Sequence, residues 1–200
     1  MLSEPTILIL LYFILPIWLA AGFADWLCHR ASRIEVTSGI KESLIHLLMF
    51  AQVAIPLLGA MFLEINAMVI AIMIVAFMLH EATAMWDVSY ATATRRVSPS
   101  EQLVHSFLEV IPLMAIGSVI SLHWGQFLAL FGCGAGRASF VFAWKAQSLP
   151  IWYIAPIMTI ILAFEFLPYI EEFVRCLPVA DRGVERTPFD GRNFVNAHHK

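Results

Sequence analysis

ESLIHLL (residues 42–48) and EQLVHSF (residues 101–107) are close to one phrase written twice. Each places a glutamate four residues ahead of a histidine, with a leucine and a β-branched residue between them. Each also opens a long apolar run, where a chain bound for lipid has little reason to carry a carboxylate and an imidazole. The surrounding 200 residues are 60% hydrophobic and 14% charged, a composition of membrane proteins rather than soluble domains. A net charge of −3 offers no basic patch and gives no reason to expect a nucleic-acid partner. Cys28, Cys133 and Cys176 form neither a CxxC pair nor a disulfide framework.

About 20 apolar residues are needed to cross the hydrocarbon. By that measure the chain holds five spans, at 6–28, 41–63, 66–88, 100–122 and 150–172. The first is too long for a signal-peptide core and lacks a basic leader, so it is expected to be retained. The glycine-interrupted stretch 124–149 is expected to be re-entrant or interfacial. Residues 1–178 then form one transmembrane domain, and 179–200 a short polar cytoplasmic tail. Ten of the twelve basic residues fall after spans one and three or near the C-terminus, while Arg137 and Lys145 fall on the other side. The positive-inside rule then sets the N-terminus outside and the C-terminus in the cytoplasm, periplasm and cytoplasm if the membrane is a bacterial inner one.

That topology gathers the polar residues in one leaflet. Span one ends with Asp25 and His29, and span two begins with Glu42 and His46. Span three ends with His80, Glu81 and Asp87; span four begins with Glu101 and His105, followed by Glu109. Residues four or seven apart share a helix face. Four helices thus each offer one acid and one imidazole to a common centre, the eight candidates being Asp25, His29, Glu42, His46, His80, Asp87, Glu101 and His105. His123 lies about 27 Å beyond His105 along a helix, and Glu64 about 33 Å beyond Glu42, so both belong to the opposite surface. Glu165, Glu171 and Glu172 in span five remain peripheral candidates, and His198 and His199 fall in the tail. Trp26, Trp86 and Tyr90 lie beside the candidates as interfacial anchors.

A charge at membrane depth costs about 2.5–3.5 kcal/mol on insertion scales. Acid–imidazolium pairs could offset that cost among themselves; metal cations do so more completely. The expected fold is therefore an all-α integral membrane protein. Its first four helices form two parallel-repeat hairpins, 6–63 and 66–122, about an axis normal to the membrane. Mixed carboxylate and imidazole ligands suit two divalent ions, iron first, with manganese or zinc as alternatives.

The arrangement resembles the di-iron carboxylate bundles as a class, although those use Glu-x-x-His and this chain has Glu-x-x-x-His. The resemblance implies O2-dependent hydroxylation or desaturation of a lipid or other hydrophobic substrate, with an electron-donor protein as partner. Glu109, one turn deeper than His105, would relay protons or bind one metal. A zinc hydrolase acting on lipids, with Glu81 or Glu109 as general base, is the first alternative. Non-enzymatic metal binding or transport and a haem protein follow.

Overall fold

A computed structural model describes residues 4–181, all the elements of which are helical. Five helices are long and apolar enough to cross a bilayer: α1 (Pro5–Ser32), α2 (Ile40–Phe62), α3 (Ala67–Thr94), α4 (Pro99–Leu122) and α6 (Ile151–Ala180). A short α5 (Trp124–Leu130) lies between the fourth and fifth of these. Large apolar side chains such as Ile55, Met78, Leu103 and Val110 face outward along the spans. Such a surface is unsuited to water and is the one expected of helices that cross a bilayer. The tail beyond residue 181, with His198 and His199, lies outside the described residues.

Local chemistry sets the helix ends. Pro5 opens α1, with the Glu4 carboxylate accepting from the Ile7 N–H at 3.0 Å. Arg33 in the left-handed region ends it, and Gly39 with φ 72° turns the chain into α2. Asn66 caps α3 through the Val69 N–H, and Ser98 with Glu101 forms a capping box on α4. Two helices widen into π turns, at Leu10–Ile14 and Ile161–Phe166. Each closely precedes a proline, Pro16 or Pro168, whose missing N–H cannot continue the regular ladder.

The five long helices close into a ring: α1 on α4, α4 on α3, α3 on α2, α2 on α6 and α6 back on α1. The sequence leads one to expect four helices around the site, with α1 packed on α2 as a hairpin. Instead α6 lies against both, and α1 and α2 meet mainly through side chains that reach past it. The apolar cores gather in one half of the bundle, around Leu11, Leu15, Met61 and Tyr153 and around Ile70, Met73 and Val119. The other half holds the buried charges.

The stretch 124–149 does not enter the ring. It folds across the α2–α3 turn, where Gln126 accepts from the Ala67 and Ser139 N–H groups and Asn66 donates to the Val141 carbonyl. Phe140, Phe142 and Trp144 stay exposed there, the placement of interfacial aromatics.

Candidate metal centre

Asp25 and His29 project from the last turns of α1, and Glu42 and His46 from the first turns of α2. Asp87 comes from late α3, and Glu101 and His105 from early α4. Up- and down-running helices therefore bring these groups to one level. Asp25, His29, Glu42, His46, Asp87 and Glu101 are all buried, and His105 is nearly so. The donor atoms of Asp25, His29 and His105 lie within 4.8 Å of one another, as do those of His29, Glu42 and His46.

Glu172 of α6 organises the two central imidazoles. His29 Nδ1 donates to one of its oxygens at 3.0 Å and His46 Nδ1 to the other at 2.8 Å. An ionised carboxylate only accepts, so both Nδ1 atoms carry the proton and, in the neutral rings, both Nε2 atoms present lone pairs. His29 Nε2 faces Asp25 at 3.4 Å and Glu101 at 3.8 Å, while His46 Nε2 faces Asp87 at 3.3 Å and Glu42 at 3.9 Å. Neither Nε2 completes a hydrogen bond. His105 Nε2 stands 2.9 Å from the other Asp25 oxygen.

Arg95, at the end of α3, lies between Glu42 and Glu101. Its Nε and Nη2 reach Glu42 at 3.0 and 2.6 Å, and Nη1 and Nη2 reach Glu101 at 3.0 and 2.5 Å. Burial alone would lower the guanidinium's pKa, but the hydrogen bonds and charges of Glu101 and Glu42 raise it, so Arg95 stays charged. On the cavity side, Tyr169 of α6 offers its hydroxyl to Asp25 Oδ2 and to the Gly22 carbonyl, both at 3.4 Å. Glu165 is buried one turn before it, its carboxylate pressed against Gly22, where any Cβ would collide with it.

The remaining candidates lie at the edge. His80 is buried outside the two groups whose donors converge, as are Asp87 and Glu101. It faces the Met49 carbonyl, leaves Nδ1 without a hydrogen bond, and lines a small cavity with Asp25, His46, Asp87 and His105. Glu81 is partly exposed, and Glu109 interacts with it electrostatically. Glu109 is exposed at the edge of a small cavity shared with Asp25, Asp87 and His105. Trp26 donates to Glu171, and Lys41 lies over the rings of Trp86 and Tyr90, all outside the cluster. His123, Glu64 and Lys145 gather at the far end of the bundle.

Three groups at the cluster stand outside the eight candidates: Arg95, Tyr169 and Glu172. Glu165, Tyr169 and Glu172 follow an i, i+4, i+7 spacing, a one-face signal present in the sequence. Arg95 has no such signal, because a basic residue just past a span reads equally well as a topology determinant.

No family model, curated protein or solved structure matches the chain.

Proposed function

We propose that this cluster binds two divalent metal ions and that the protein is a membrane-embedded oxidoreductase acting on a hydrophobic substrate with O2. The observation that carries the reading is the pair of buried Nε2 atoms of His29 and His46, each aimed at carboxylate oxygens without completing a hydrogen bond. Lone pair against lone pair is repulsive, and a cation between them reverses the sign. Two donors about 2.1 Å from one ion lie about 3.0–3.4 Å apart for octahedral or tetrahedral angles. The separations of 3.4 Å (His29–Asp25), 3.3 Å (His46–Asp87) and 2.9 Å (His105–Asp25) match that spacing.

Charge supports the same reading. Six buried carboxyl groups, those of Asp25, Glu42, Asp87, Glu101, Glu165 and Glu172, share the one buried guanidinium of Arg95 among the described residues. The excess of acidic groups is of the kind that divalent ions compensate. Protonated histidines could offset part of that charge, at the cost of repulsion between the His29 and His46 rings stacked 4.1 Å apart.

Asp25, His29 and His105, with Glu101 nearby, would hold one ion; His46, Asp87 and Glu42 would hold the other. Carboxylate and imidazole without thiolate favour iron, then manganese or zinc. Glu42 and Glu101, clasped alike by Arg95, support the parallel-repeat relationship between α1–α2 and α3–α4. The substrate would lie in the apolar cavity that adjoins Asp25 and His46. In hydroxylation, one oxygen atom of O2 enters a C–H bond and the other leaves as water. A reduced electron-carrier protein would supply the two electrons, and solvent the two protons. The cluster would face the cytoplasm, with the N-terminus periplasmic.

Elemental analysis of purified protein beside His46→Ala and His105→Ala tests the metal assignment. About two irons per wild-type chain and a loss in both variants is the expected result. Equal metal content in all three proteins would reject the centre, whereas zinc at the same ratio would move the assignment to hydrolysis.

A further inference from the structure

Three cavities lie in single file inside the ring. The first, about 100 Å³, begins at Asp25, His46 and Glu165 and runs between Met49, Phe50 and Ala54. The second, about 60 Å³, continues past Pro56, Ala76 and Ala115. The third, about 140 Å³, reaches the opposite membrane face at Glu64, His123 and Lys145. Each falls short of the roughly 300–1,000 Å³ of a pocket for a compact drug-sized ligand. Small volumes strung end to end suit a flexible chain one carbon wide, not a ring system. The walls are mostly aliphatic and aromatic; besides the polar groups at the two ends, His80 lines the first and second cavities and Gln52 the second.

Two side chains, Trp18 of α1 and Leu57 of α2, line all three cavities. Trp18 is seven residues before Asp25 on the same helix, about 10 Å along its axis at 1.5 Å per residue. Beyond it the walls carry Ala60 and Ala115, which leave room. We propose that the first cavity holds the straight hydrocarbon chain of a membrane lipid with its reacting segment at the cluster. Trp18 and Leu57 are the partition that limits how far that chain extends. They are specificity-determining residues that measure chain length. The proposal rests on the oxidoreductase reading for what happens at the cluster, but not for the binding itself.

Binding of a homologous series of radiolabelled straight-chain fatty acids to the full-length protein in nanodiscs tests it. With uptake by empty nanodiscs subtracted and affinity referred to the free aqueous concentration, it should rise about fourfold per added methylene while the chain fills the first cavity. It should then stop rising at the length that meets Trp18. Trp18→Ala and Leu57→Ala should move that break to longer chains and leave the slope for shorter ones unchanged. Val53→Phe, at a residue lining the first and second cavities, should move it to shorter chains. A break at the same length in all four proteins, or none in any, overturns the proposal. If Trp18→Ala fails to fold, the opposite shifts of Leu57→Ala and Val53→Phe still decide it. The series is run on metal-loaded and metal-stripped protein. A shifted break in protein that binds no metal leaves the length rule standing while the metal reading fails, and metal binding with an unshifted break does the reverse.

Discussion

His29 and His46 lie face to face, ring centroids 4.1 Å apart and planes within 6° of parallel, with Glu172 joining their Nδ1 atoms. One carboxylate from α6 thereby fixes the tautomer and aim of two imidazoles from two other helices. Groups that orient ligating histidines in this way tune a metal without touching it.

On the proposed metal reading, Glu172→Ala should weaken metal binding about 10- to 100-fold, the usual cost of losing such a partner. Chelator competition on the purified variant measures this. Metal affinity equal to wild type in a folded Glu172→Ala protein would show that the imidazoles hold their aim without it.

Arg95→Met leaves Glu42 and Glu101 buried beside each other without their counter-charge. Removing one partner from a buried charge pair costs about 3–5 kcal/mol. The thermal midpoint in detergent should fall accordingly, and the triple variant Arg95→Met, Glu42→Gln, Glu101→Gln should recover much of the loss. A triple variant no more stable than Arg95→Met alone would place the damage in packing instead.

Gly22→Ala puts a methyl group where the Glu165 carboxylate sits. Overpacking of this kind costs about 1–3 kcal/mol. Glu165→Ala in the same chain opens the space, so the double variant should be more stable than Gly22→Ala. Additive losses would mean that the two residues are not in contact.

At the far face, burial pushes the pKa of His123 down and Lys145 lowers it further, against the opposing pull of Glu64. The unfolded chain thus takes up this proton more readily than the folded one. Stability should fall as pH drops through about 6.5, the ordinary histidine value, and level off below the depressed folded value. His123→Gln should remove that part of the pH dependence of the thermal midpoint. An identical pH profile in the variant would assign the titration elsewhere.

The five spans were legible because long apolar runs have few alternative explanations. Their ends were not. Helix α3 runs to Thr94 rather than residue 88, and α6 to Ala180 rather than residue 172. Residues such as Ser89, Thr92 and Thr94 lower the hydropathy while still bonding back to helix carbonyls. Spacing alone placed Asp25, His29, Glu42, His46, Asp87, Glu101 and His105 on inward faces at one level. It also placed His80 there, and that ring, facing the Met49 carbonyl two turns from Asp87, shares a small cavity with Asp25, His46, Asp87 and His105. Glu172 ranked only as a peripheral candidate because no histidine accompanies it on its own helix, so its partners appear only once α6 is seen wedged between α1 and α2.

The widened turn at Ile161–Phe166 carries one more consequence. A π turn is an α turn that has absorbed one extra amino acid, with the segments before and after it left in register. Deleting one residue there, other than Glu165, should heal the helix and leave Tyr169 and Glu172 where they are. The same deletion between Leu167 and Ile170 would swing Glu172 about 100° round the axis, away from both imidazoles.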